Sequence, residues 1–202
     1  MAVAVEHDKR RKKILDKALA VFIEDGFENA TFQKIADKSG ITRTILYLYF
    51  KNKREIFIYS IKQLLQSVEE NINIITADKS LSSIDKISKV LLVIFKLFEH
   101  SRQLLSVVLD YLLHLSKGGA NPEERVRRRT VKIHRVLSSL AMEGIKSGEL
   151  KKESVKTMHN YLYSFIETAI FHLVVLKREN LVELKETATY AVRQLSNLAD
   201  NA

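Results

Sequence analysis

From Asp8 to about Asp25 the apolar residues Ile14, Leu15, Ala18, Leu19, Phe22 and Ile23 recur at steps of three and four, which marks one face of a helix. Gly26 is placed to end it, since glycine readily adopts the left-handed conformation of a helix C-terminus. Thr31 can cap a second helix, Phe32–Lys38, with Phe32, Ile35 and Ala36 predicted inward. Ser39-Gly40 breaks the chain, and Thr42 can cap a third, short helix through about Tyr49. Asn52-Lys53-Arg54-Glu55 has capping-box spacing. It opens a long helix to about Ile75, on the order of 35 Å at 1.5 Å per residue.

Further helices are predicted at about 82–99 and 102–116, followed by the loop Lys117-Gly118-Gly119-Ala120. Asn121-Pro122-Glu123-Glu124 reads as an N-cap, a first-turn proline and two acids at the positive helix end. That helix runs to about Lys146, where Gly148 stops it. Ser154 opens another to about Arg178, and Asn180-Leu181-Val182-Glu183 is a second capping box for a last helix to about Leu198. The pattern is all-α, about nine helices with no strand alternation.

The final two helices differ from the rest. Leu181, Leu184, Ala188, Ala191, Leu195 and Leu198 form a narrow coiled-coil-like seam. The preceding helix is apolar on two faces, one of Met158, Leu162, Phe165, Ala169, Leu173 and Leu176, broadened by Tyr161, Ile170, Phe171, Val174 and Val175. A surface helix needs one stripe, so a second points to a subunit interface and a homodimer through these two helices.

One proline and six glycines in 202 residues exclude a turn-rich all-β fold. With no cysteine there is no disulfide, thiolate catalyst or thiolate metal site. The most apolar region, Val90–Leu115, is interrupted by Lys96, Glu99, His100, Arg102 and Asp110, too often for a membrane span. In MAVAVEHDKRRKK the charges follow the apolar residues, the wrong order for a secretory signal. A cytoplasmic protein without membrane partner is expected. The net charge of +9 suggests a polyanionic partner. The excess is denser in residues 1–60, with 12 Lys+Arg against 8 Asp+Glu, and sharpest in Lys9-Arg10-Arg11-Lys12-Lys13. That run is either a solvated helix face or a set of phosphate contacts.

Residues 31–50, TFQKIADKSGITRTILYLYF, carry the chemistry. Two short helices joined at Ser39-Gly40-Ile41 have helix-turn-helix length, with Ile35, Ala36, Ile41 and Leu46 holding their angle. The second presents Thr42, Arg43, Thr44, Tyr47, Leu48 and Tyr49 outward, as a helix entering the major groove of double-stranded DNA must. Arg43 is the strongest candidate for a base contact, because arginine pairs bidentately with guanine.

From about Lys12 to Phe57 the chain resembles the TetR family of transcriptional regulators. The resemblance rests on Gly26-Phe27, Thr31, Ile35-Ala36, Ser39-Gly40-Ile41, Leu46-Tyr47, Tyr49-Phe50, Lys51-Asn52-Lys53 and Ile56-Phe57, and less on Gly148-Glu149-Leu150. Thr44 departs from it where glycine is common, and Leu48 where polar residues are. Either these touch thymine methyls or the operator differs. The resemblance implies that Thr31, Thr42, Tyr47, Tyr49 and Lys53 meet the DNA backbone. It implies a DNA-binding domain of 1–50, a ligand-binding and dimerisation domain of 51–202, and the fourth helix as lever between them. It further implies a repressor that binds a palindromic operator as a dimer and is released by an unknown small-molecule effector.

The expected effector pocket lies between the fifth to eighth helices, lined by Leu91, Phe95, Phe98, Leu109, Leu112, Met142, Met158, Leu162, Phe165 and Ile166. These faces carry few charges, so the effector should be mostly apolar. The alternative is that they simply pack the core, in a regulator controlled by a partner protein or by no small ligand. A helical dimer that does not bind DNA is a third reading. The six histidines lack metal-ligand spacing, so no cofactor or metal is expected, and no catalytic set emerges: His100, Ser101 and Asp110 have no nucleophile turn. His134, His159 and His172 read as ordinary polar or interface residues. Arg125-Val-Arg127-Arg128-Arg129 reads as a solvated face paired with Glu123 and Glu124.

Overall fold

A computed structural model describes residues 2–119 and 121–197, with backbone alone for 2–4, 122, 125, 128 and 129. Leu198 and the side chains of Arg125, Arg128 and Arg129, singled out above, lie outside the described residues. Among those described, the elements are α1 Ala2–Asn29, α2 Phe32–Ser39, α3 Arg43–Tyr49, α4 Lys53–Ala77, α5 Ser83–His100, α6 Arg102–Lys117, α7 Pro122–Ser147, α8 Val155–Ile170, a π-helical turn Phe171–Val175, and α9 Val182–Arg193. No helix among these residues is long and apolar enough to cross a membrane.

The chain forms two compact units. The first comprises residues 1–67 and 106–119, the second 68–105 and 120–202, so α4 and α6 each contribute to both. In the first unit, Ile14, Leu15, Ala18 and Phe22 of α1 are buried with Ile35 and Ala36 of α2, Leu46 of α3, and Ile56 and Phe57 of α4. The rings of Phe27, Phe57 and Tyr111 pack at steep angles around them, with centroids 4.4 to 5.2 Å apart. Gly26 has φ 76° and ψ 170°, a break inside α1 that leaves Phe27 facing this cluster. Ser60 donates to the Leu15 carbonyl at 3.0 Å, fixing α4 against α1.

The second unit is built on one apolar cluster. Ile87, Leu91 and Phe95 of α5, Leu137 of α7, and Met158, Leu162 and Ile166 of α8 are buried in it. So are Leu181, Leu184, Ala188 and Val192 of α9. The α9 seam therefore faces its own subunit's core, mainly against α5, and not a partner. A three-four apolar repeat specifies that a helix has one buried stripe, not which chain covers it.

The cap expected at Asn180 also fails to form as a capping box. Asn180 Oδ1 accepts only from the Val182 N–H, at 3.3 Å, and Glu183 pairs with Arg178 at 2.8 Å. The start of α9 is held instead from α5, where Glu99 accepts from the Leu181 N–H at 2.8 Å and from Lys185 Nζ at 2.6 Å. Partial burial opposes ionisation of Glu99, but these donors and the Lys185 charge outweigh it and hold the carboxyl below the usual range. Helix α9 ends at Arg193 and α8 at Ile170, both short of the expected ends near Leu198 and Arg178, with the π-helical turn and Lys177 at φ 53° between them.

The Gly148-Glu149-Leu150 segment has three local tasks. Gly148, at φ 77°, closes α7. Glu149 Oε2 accepts from the Ser83 N–H at 2.5 Å, satisfying an end group of α5. Leu150 is buried against Gly144, where an added Cβ would stand 2.5 Å from the leucine side chain.

Candidate nucleic-acid interface

The helix pair α2–α3 is organised by its caps. Thr31 Oγ1 accepts from the Lys34 N–H at 3.2 Å, and Thr42 Oγ1 from the Ile45 N–H at 3.3 Å. Each hydroxyl keeps its own proton, which it can donate to a phosphate. Gly40, at φ 66° and ψ 35°, makes the sharp turn, and the Ile41 N–H returns to the Ala36 carbonyl at 3.1 Å. Lys34 and Lys38 are tied to Asp25 and Glu24 of α1 at 2.9 and 2.7 Å. These exposed pairs orient α2 more than they stabilise it, at about 0–1 kcal/mol each.

With Leu46 buried, α3 turns Arg43, Thr44, Tyr47 and Leu48 outward as one stripe, Leu48 at 76 % exposure. Arg43 donates to Tyr47 Oη at 3.1 Å, its guanidinium 5.6 Å from the tyrosine ring centre. Phe32 also stacks on Tyr47, the ring centroids 4.6 Å apart. Phe32 is thus half-buried beside the stripe, where its place at the start of α2 predicted a core residue. Its i-to-cap position carries no signal of that contact, whereas the four-residue Arg43–Tyr47 spacing does.

Two expected backbone contacts sit off the stripe. Tyr49 is half-buried and stacks on His7 of α1 at 4.6 Å. Lys53 donates to the Glu28 carbonyl at 2.9 Å with its amine 4.6 Å from the Phe27 ring centre, so it ties α4 to the end of α1. The basic run lies within α1: Lys9, Arg10, Lys12 and Lys13 are exposed, while Arg11 lies 4.3 Å from the Tyr59 ring centre and 5.0 Å from Phe50. That contact is a packing role for one of the five charges.

The residues expected to line a pocket are divided between the two units. Leu91, Phe95, Met158, Leu162 and Ile166 are buried together, with Phe98 and Phe165 packed against them. Leu109 and Leu112 belong to the first unit, and Met142 is 42 % exposed on the outer face of α7. An open groove of about 440 Å³ lies elsewhere in the second unit, lined by His172 and residues 178–184. Exposed on α8, the π-helical turn with its C-cap Leu176, and α9 are Tyr161, Phe171, Val175, Leu176, Val182 and Tyr190.

The pattern described as bacterial regulatory proteins, tetR family, matches residues 14–59, which span the helix pair and its supports. The chain is 28 % identical over 144 residues to the fatty acid metabolism regulator protein of Bacillus subtilis, covering 69 % of this chain and 70 % of that one. It is 42 % identical over 53 residues to the HTH-type transcriptional regulator SrpR of Pseudomonas putida, about a quarter of each. Among solved structures, FadR from Bacillus subtilis in complex with stearoyl-CoA superposes with a TM-score of 0.72 at 24 % identity, covering 89 % of this chain and 96 % of that one. A TetR transcription regulator from Haloarcula marismortui gives 0.76 at 18 % identity, covering 95 % and 98 %. Residues 14–59 are thus a TetR-family helix-turn-helix, set in the all-helical fold of solved TetR-type transcriptional regulators.

Proposed function

We propose that this protein is a dimeric repressor that binds a palindromic operator and is released by a mostly apolar effector carrying a long acyl chain. The observation that carries the DNA-binding half is the outward stripe Arg43, Thr44, Tyr47 and Leu48 on a capped α3. Arg43 reads a base edge, Leu48 and Thr44 offer methyl groups to thymine, and Thr31, Thr42 and Tyr47 meet phosphates. Tyr49 and Lys53 act beside them, from the helix ends. Residues 1–50 form the DNA-binding domain and 51–202 the effector and dimerisation domain, with α4 contributing to both compact units. The protein works in the cytoplasm.

Dimerisation uses the exposed apolar residues of α8, the π-helical turn and α9, since the α9 seam is already consumed within the subunit. The half-sites then lie about one helical turn, roughly 34 Å, apart or somewhat more. For the effector, the support is twofold. The likeness to the Bacillus subtilis fatty acid metabolism regulator extends well past the helix-turn-helix, and Leu91, Phe95, Met158, Leu162 and Ile166 supply an uncharged interior. Effector and DNA favour different conformations of one dimer, so each weakens the other.

A long-chain acyl thioester such as stearoyl-CoA, titrated into the protein–operator complex, is expected to release the DNA while free coenzyme A leaves it bound. Fluorescence anisotropy of a labelled duplex measures this. Operator binding indifferent to any acyl thioester favours a second reading, a regulator without a small ligand. The tight mutual burial of those five side chains is the observation on its side.

A further inference from the structure

Helices α7 and α8 run antiparallel, as the order of their contacts shows: Thr130 hydrogen-bonds Tyr163, and His134 meets His159. These polar contacts adjoin apolar ones made by Leu137, Met158 and Leu162. His134 Nδ1 lies 2.9 Å from His159 Nε2, and His159 Nδ1 lies 3.1 Å from Asn160 Oδ1. Of the two facing nitrogens, one carries the proton and the other accepts it. The ring centroids are 5.0 Å apart, 2.1 Å more than the nitrogens, so the rings lie nearly end to end. The two facing nitrogens point at one another and not at a common third point, which suits a shared proton and not a chelated metal.

We propose that the His134–His159 contact is a proton-operated release between α7 and α8, closed while the pair holds at most one extra proton and forced open by the second. The first added proton keeps an N–H donor facing an acceptor. The second places two N–H groups and two positive charges against each other, and no acceptor remains between them. Tyr163 stacks on His134 at 4.2 Å and on His159 at 5.8 Å, so the pair cannot turn aside without breaking that stack.

Burial, and then the neighbouring His159, push His134 below the usual histidine range, while Glu167 on α8 acts the other way. Elsewhere on α7, Lys132 pairs with Glu69 of α4 and Glu143 with Lys86 of α5. Between the ordinary histidine value and the lower folded one, the unfolded chain binds more protons than the native chain. Stability therefore falls as pH drops through that window, and the loss is complete below it. Met158, Leu162 and Ile166 share α8 with His159, so opening alters the walls of the apolar interior. A consequence for DNA binding rests on the effector-domain reading above.

The test is hydrogen exchange by mass spectrometry on the full chain at about pH 7 and about pH 5, the range in which histidines titrate. After comparison with His159→Gln at each pH, wild-type protection in α7 and α8 is expected to fall about tenfold more on acidification than in the variant. Glutamine keeps an acceptor for His134 but takes no second proton. His159→Phe, which keeps a stacked ring, is expected to behave as His159→Gln does, and serves if that variant is unstable. Equal loss in wild type and both variants, or two histidines titrating independently by NMR, would overturn the proposal.

Discussion

Phe171→Glu combined with Val175→Glu is expected to give a folded monomer whose operator affinity is lower by about 10²-fold or more, since linked half-sites gain about 10²–10⁴ over single ones. Both residues are about half exposed in the isolated subunit, at 50 % and 53 %, so charges there do not disturb the core. A two-fold interface brings the same patch of both subunits together, and four carboxylates cannot be buried there without partners. Sedimentation equilibrium reads the oligomeric state, circular dichroism the fold, and anisotropy the affinity. A dimer that persists with unchanged operator affinity places the interface elsewhere. Truncation before Asn180 is a poorer experiment, because it strips Leu181, Leu184, Ala188 and Val192 from the subunit's own core.

Phe95→Ala is expected to destabilise the protein by about 3–5 kcal/mol, the cost of truncating a buried aromatic. Phe95 is fully buried between α5 and the cluster of α7, α8 and α9. Its removal leaves a hole that neighbouring helices close only in part. Denaturant unfolding measures the loss as a shift of midpoint at unchanged slope. The same number separates the two readings of the interior. A loss under about 1 kcal/mol means that space already stands open beside Phe95, as a preformed effector pocket requires. The full loss, recovered by a long-chain acyl thioester, means that the ligand opens its own place and stabilises by binding the native state.

Local chemistry was the legible part of this chain. The caps at Thr31, Thr42 and Asn121, the left-handed turns at Gly40 and Gly148, and the outward stripe on α3 all follow from residues within a few positions of one another. What escaped depends on distant partners. Glu99 replaces the capping box by accepting from the Leu181 N–H, 82 residues on, and a backbone donor leaves no mark in the sequence. The α9 seam reads the same whether α5 or a second subunit covers it. Met142 lies on the exposed side of α7, and the buried α7 residues Leu137, Leu140, Ala141 and Gly144 follow a phase set by the α5 and α8 packing. His134 and His159 are 25 residues apart and look unremarkable singly; only the antiparallel pairing of α7 and α8 brings their nitrogens together.

The central claim, sequence-specific recognition of DNA by α3, is tested most directly by selecting random duplexes with the purified protein near physiological salt. The wild type is expected to enrich a palindromic consensus. Arg43→Ala is expected to flatten one position in each half-site, at about 1–3 kcal/mol of lost discrimination, with the remaining positions retained. Enrichment no greater than bulk DNA for the wild type, in the presence and absence of acyl thioester, would contradict the account.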